Sequence, residues 1–135
     1  MAEEDNLRVM REVIEAFNAH DLERIAEKVD EAYIGETDTL QAPVRGRDGY
    51  RRMLEMYYTA FPDTHYEIEQ MICSGDYVVT RLHITGTHRG EFLGKAATNR
   101  SFHIHLCHFD QVKNGKIARA WYYWDTATML RQLAM

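Results

Sequence analysis

An α+β fold is predicted for this chain, with helices at the N-terminal end and a strand meander after them. Three observations carry the prediction. Apolar residues recur at helical spacing up to Phe61, they alternate with polar ones from His65 onward, and Asn114-Gly115 separates two apolar, aromatic-rich runs. Asn-Gly suits a type I′ hairpin turn, because both central residues must adopt positive φ. The 135 residues contain no Pro/Gly/Ser-rich linker, internal repeat or low-complexity tract, so one domain spans 1–135. Helices packed on one face of a single curved, mostly antiparallel sheet satisfy this order of elements.

Leu7, Met10, Val13, Ile14 and Phe17 predict an amphipathic first helix ending near His20. Asp21 can cap a second helix carrying Leu22, Ile25 and Val29 on one side. Tyr33 and Ile34 suggest a short strand, and a polar loop runs from Thr37 to Gly46. Asp48 reads as the cap of a third helix bearing Leu54, Met56, Tyr57 and Phe61, which Pro62 terminates. Next comes a strand in which Tyr66, Ile68, Gln70 and Ile72 alternate with His65, Glu67, Glu69 and Met71. Ser74-Gly75-Asp76 turns the chain into a strand from Tyr77 to Thr87. The loop His88–Asn99 leads to a third strand near Arg100–Val112, the Asn-Gly turn gives a fourth, and Thr126–Leu133 reads as a closing helix.

Apolar residues make up 45% of the chain and charged ones 27%, the composition of a globular protein. A net charge of −5 argues against a nucleic-acid surface, which needs a concentrated basic patch. Asp48 and Glu55 interrupt the cluster Arg45, Arg47, Arg51 and Arg52, which reads as a solvated helix face. No apolar run approaches the roughly 20 residues that cross a bilayer, so no membrane partner is expected. The acidic start MAEEDN lacks the features of a signal peptide, and Cys73 and Cys107 show no paired spacing. A cytoplasmic location with two reduced thiols is the expectation.

A two-residue turn at Asn114-Gly115 pairs Val112 with Ile117, Asp110 with Arg119, His108 with Trp121, Leu106 with Tyr123 and Ile104 with Asp125. All of these then share one face, toward the helices. His103, His105, Cys107 and Phe109 take the other, opposite Ala118, Ala120, Tyr122 and Trp124, although a single β-bulge would exchange the sets. On this register His108 and Asp125 face a pocket walled by Ile104, Leu106, Trp121 and Tyr123. A carboxylate in an apolar pocket is poorly solvated, which strengthens it as a base. A nearby imidazole can assist by shuttling the proton or binding an enolate oxygen. Such a pair suits abstraction of a proton α to a carbonyl with no cofactor. Asp125 also precedes Thr-Ala-Thr-Met-Leu, where it would serve equally as a helix N-cap. His103 and His105 share a face that His108 leaves, which argues against a metal site. His83, His103, His105, Tyr122 and Trp124 on the outer face predict a homodimer.

Four segments carry a resemblance: Phe17–Glu23 (FNAHDLE), Ala60–Asp63 (AFPD), Thr85–Gly94 (TGTHRGEFLG), and Asn114–Ile117 (NGKI) running to Trp124-Asp125. In these the chain resembles the SnoaL-like polyketide cyclases of the nuclear-transport-factor-2-like superfamily. The resemblance implies a cone-shaped α+β fold and a small apolar or aromatic ligand. It further implies an intramolecular aldol ring closure without metal or organic cofactor, with Asp125 at the position of the acid/base aspartate. The family often carries an acidic residue at the place of His108, and a histidine near Ile34–Thr37 where this chain has Glu36. Two other readings stand beside it. One is a non-catalytic small-molecule-binding domain. The other is an epoxide hydrolase or dehydratase, in which Asp110 and Asp125 would bracket Arg119.

Overall fold

The computed structural model describes residues 2–135 and contains four helices and six strands among them. Helix α1 spans Glu3–Ala19 and buries Val9, Met10, Val13, Ile14 and Phe17, close to the predicted stripe. His20 ends it in the left-handed conformation (φ 54°). Asp21 then caps α2 (Leu22–Glu27) by accepting the Arg24 N–H at 3.1 Å. Asn18 ties this corner to the sheet. Its side chain accepts the Tyr66 N–H at 2.7 Å and donates to the Tyr66 carbonyl at 2.9 Å. The FNAHD segment is therefore a joint between helices and sheet.

Val29 leaves the helix to which its spacing assigned it. It opens β1 (Val29–Thr37) because its neighbour Lys28 accepts the Ile117 N–H at 2.7 Å, which draws the chain onto the sheet. A two-residue strand β2 (Val44–Arg45) lies inside the predicted loop and pairs with β1. Helix α3 (Gly46–Ala60) starts at Gly46, and its N-cap residue Arg45 makes no side-chain cap. Asp48 is not the cap: it sits in the first turn, where the helix dipole favours an acid, and pairs with Arg51 at 2.9 Å.

The remaining strands are β3 (His65–Ser74), β4 (Tyr77–Thr87), β5 (Ser101–Lys113) and β6 (Lys116–Trp124), followed by helix α4 (Thr126–Gln132). The sheet order is β2-β1-β6-β5-β4-β3, antiparallel throughout except that β1 runs parallel to β6. The result is an unclosed, curved sheet whose concave face packs on the helices. The Asn114-Gly115 turn has φ values of 53° and 76°, as the sequence demands. Strand β3 departs from simple alternation: a bulge between Ile68 and Gln70 turns Met71 and Cys73 to the core side and leaves Ile72 outside. The AFPD segment also has a structural reason. Asp63 accepts the Thr87 N–H and hydroxyl, both at 2.7 Å, and so ties the end of α3 to the end of β4.

Candidate functional site

The face of the β5–β6 hairpin is decided by one residue. Val112 pairs with Ile117 as the two-residue turn requires, but the next pair is Gln111 with Arg119, and Ala118 is left over. From there onward β6 is offset by one, so Asp110 pairs with Ala120, His108 with Tyr122 and Leu106 with Trp124. Trp121 and Tyr123, expected in the pocket wall, therefore point to the outer face, and Tyr122 and Trp124, expected outside, point in. Arg119 carried the signal. The simple register aims its guanidinium into the core at a large desolvation cost, and a bulge removes that conflict. Outside, Arg119 lies over the Trp121 ring at 4.9 Å.

Between the concave sheet and α1 and α3 lies a cavity. Its volume is about 60 Å³. It is thus a narrow slot. Aromatic side chains make most of its wall, among them Phe17, Tyr50, Tyr57, Phe61, Phe102, Tyr122 and Trp124. No Lys, Arg, Asp or Glu lines it. Trp124 donates its indole N–H to the Thr39 hydroxyl at the β1 end, and its ring meets Tyr57 edge-on at 5.7 Å. Leu106 and His108 line the slot as their positions on β5 predict, whereas Ile104 is buried on the same face but outside the wall.

His108 is 5% exposed and Asp110, two residues along the same inward face, 1%. His108 Nδ1 stands 3.8 Å from Asp110 Oδ2, which has no hydrogen-bond partner. Burial dominates both groups. It pushes the Asp110 carboxyl well above the usual carboxylate range and the His108 imidazole down to about 3. The His108 ring is packed by Tyr122 at 4.6 Å and by Phe17 at 6.0 Å, both edge-on. Such a couple holds at most one proton over a wide pH range and can exchange it with whatever occupies the slot. Asp110 stands on the predicted inward face of β5. Its nearness to the turn hides its depth, because in the sequence it stands as a hairpin-end residue.

The carboxylate of Asp125 is exposed and lies outside the slot, in contrast to its expected place in the pocket wall. It caps α4, accepting the Thr128 N–H at 3.0 Å and the Thr128 hydroxyl at 2.6 Å. These bonds, the hydroxyl's first, hold it below the usual carboxylate range. The shift in register that turned Trp124 inward gives the next residue the outward parity, and β6 ends before it. Asp125→Asn keeps the cap, so its melting temperature and activity should match the wild type. Asp125→Ala should melt a few degrees lower with activity unchanged. Calorimetry with a rate assay on both variants checks this, and a loss of rate in the Asn variant with unchanged melting would return Asp125 to the reaction.

Glu36 is exposed on β1, and Asp110 and Arg119 face opposite sides of the sheet, so no carboxylate pair brackets that arginine. His83, His103 and His105 gather on the outer face, with His83–His105 ring centroids 5.3 Å apart and His105 bonded to Glu69 at 2.9 Å. No group of three or more His, Cys, Asp or Glu among the described residues is arranged to hold a metal ion.

Comparison with solved structures places this architecture. AclR, a candidate hydroxylase from Streptomyces galilaeus, superposes with a TM-score of 0.86 at 24% identity over 98% of this chain and 83% of its own. IdmH, a candidate polyketide cyclase from Streptomyces antibioticus, gives 0.81 at 28% identity over 96% of this chain and 99% of its own. A candidate SnoaL-like polyketide cyclase from Jannaschia sp. CCS1 gives 0.90 at 18% identity over 98% and 93%. A comparison with curated proteins finds no match. The fold is that of the nuclear-transport-factor-2-like proteins, and the family description SnoaL-like polyketide cyclase matches residues 7–133. With that match running over nearly its whole length, the chain belongs to the SnoaL-like polyketide cyclase family.

Proposed function

We propose that the protein is a cofactor-independent carbon-acid enzyme that closes a ring in a small, uncharged, apolar or aromatic substrate of the polyketide type. The observation that carries this reading is the buried His108–Asp110 couple, of which His108 lines an aromatic slot and Asp110 stands outside its wall. In its reactive form Asp110 is ionised and His108 neutral, with the His108 proton on Nδ1 toward Asp110. Nε2, across the ring, takes the proton α to a substrate carbonyl while Nδ1 passes its own to Asp110. The 3.8 Å gap closes when a ligand compresses the site or one water bridges it. The enolate carbon attacks a second carbonyl of the same molecule, and the alkoxide formed recovers the proton by the same route. Reactant and product differ only in bonding order, so no oxidant or external acid is consumed.

A direct test is exchange of α-protons in an aryl β-keto ester incubated with the protein in D2O, followed by NMR. Exchange above the buffer rate, abolished by blocking the slot, is the expected result. A protein that binds the ester and leaves its α-protons unexchanged would instead be the non-catalytic binding domain. The reading places the enzyme in the cytoplasm, where Cys73 and Cys107 remain free thiols as in the structure.

The active unit is proposed to be a homodimer formed through the outer sheet face. Ile72, Val79, Phe109 and Trp121 form one apolar row across β3, β4, β5 and β6, each paired with the next. Tyr123 beside it is 57% exposed and Ile72 55%. An apolar row continuous over four strands is unusual on a surface that stays wet. Light scattering at micromolar concentration should give twice the chain mass, and Phe109→Glu should give the monomer mass. A wild-type monomer would overturn the dimer without touching the reaction.

A further inference from the structure

The hydroxyls of Tyr33 and Tyr122 meet at 2.6 Å inside the core. Tyr122 belongs to the slot wall, whereas Tyr33 lies behind it and is 1% exposed. Two hydroxyls carry two protons, and one bond between them uses only one. Tyr33 has no other hydrogen-bond partner, and its ring is closed in by Tyr50, which packs edge-on at 4.9 Å. Either hydroxyl can donate in this bond; with Tyr33 donating to the Tyr122 oxygen, the Tyr122 proton is left for a neighbouring oxygen, that of Tyr50 or of a ligand in the slot. A hydroxyl that already accepts a hydrogen bond is the better donor, since each bond polarises the next.

Gly35 makes the arrangement possible. A Cβ at this position would lie 2.0 Å from the Tyr33 hydroxyl oxygen, so any other residue displaces it. Gly35 pairs with Ala120, and Ala120 with Asp110, which makes a row of small residues leading from the hydroxyl pair to the buried carboxylate. His108, paired with Tyr122 across β5 and β6, stands on the other side of the same ring. We propose that the Tyr122 hydroxyl donates the hydrogen bond that takes up charge on the substrate's enolate oxygen, and that Tyr33, seated over Gly35, is the positioning residue that aims it. This rests on the carbon-acid reading above, since an enolate is what brings negative charge to the slot. Donor and proton acceptor then face one ligand from adjacent positions, Tyr122 toward oxygen and His108 toward carbon.

The probe is 4-nitrophenol, whose ionised oxygen stands in for the enolate and whose absorption reports its protonation. Bound to the wild type, it should ionise at lower pH than free in solution. Tyr122→Phe should abolish that preference. Tyr33→Phe should reduce it about tenfold while leaving affinity for the neutral phenol unchanged. Gly35→Ala retains every hydroxyl but displaces that of Tyr33, and should lose the preference equally. Melting curves on each variant establish that the fold persists. An unshifted probe on the wild type, or a full preference in both Tyr33→Phe and Gly35→Ala, overturns the proposal. Ionisation of the probe without α-proton exchange would remove the catalytic reading and leave the donor standing, and exchange without ionisation would do the reverse.

Discussion

Asp110→Asn should lower the rate of α-proton exchange by about 10²–10⁴-fold, the usual contribution of a positioned acid/base group. Asparagine matches the carboxyl in shape, so the slot and the His108 ring keep their places while the couple loses its proton store. A neutral His108 alone is a poor base, because its imidazole is already held down to about 3 by burial and would have to become a cation without a counter-charge. The wild-type rate should rise with pH through the macroscopic value of the couple, which lies well above that of an ordinary carboxyl. His108→Gln should lose as much rate, since the two act as a unit. Stopped exchange in D2O across pH measures all three. A flat pH profile, or an Asn variant with wild-type rate, would remove the couple from the reaction.

The second large effect concerns stability. Asp110 is raised in the folded protein, so its favourable contribution is complete below the unfolded carboxyl value near 3.8 and is lost as pH rises toward the folded value. His108 is lowered from 6.5 to about 3, so it contributes in the opposite direction: stability is lost as pH falls through that interval. In the wild type the two slopes oppose each other between about pH 4 and 6.5, and the net dependence from this pair is shallow. Asp110→Asn removes one slope only. The variant should gain on the wild type by up to about 1.4 kcal/mol for each pH unit above 4, until the folded Asp110 value is reached. Urea unfolding of both proteins at pH 4.5, 5.5 and 6.5 measures the difference, in which the other titrating groups cancel. A constant difference across the series would mean that Asp110 is ionised in the native state.

Much of the fold is legible in the chain itself, because local physics decides it. Helix α1 follows from the spacing of its apolar residues, the caps of α2 and α4 from Asp21 and Asp125, and the last hairpin from the only dipeptide there that tolerates two positive φ values. The inward face of β5 is equally legible, since Ile104, Leu106, His108 and Asp110 alternate without interruption. Asp125 could be read as cap or as base, and the capping is what the local hydrogen bonds show.

Only the tertiary structure decided which side of β6 meets the cavity. Strand alternation has a period of two, so the one extra residue at Ala118 exchanges every side chain beyond it. The bulge exists because Arg119 stays in water while Ile117, Ala120 and Tyr122 are buried, a balance of desolvation against pairing summed over a whole sheet. Nor does local sequence reveal that Tyr33 and Tyr122, which share one hydrogen bond, are neighbours: the parallel pairing of β1 with β6 brings them together. The sequence by itself determined the main helices and strands, the turn, the capping by Asp21 and the family. The depth of Asp110, the inward aim of Tyr122 and the outward aim of Trp121 and Tyr123 came from packing, because burial is a property of the assembled sheet and not of any single strand.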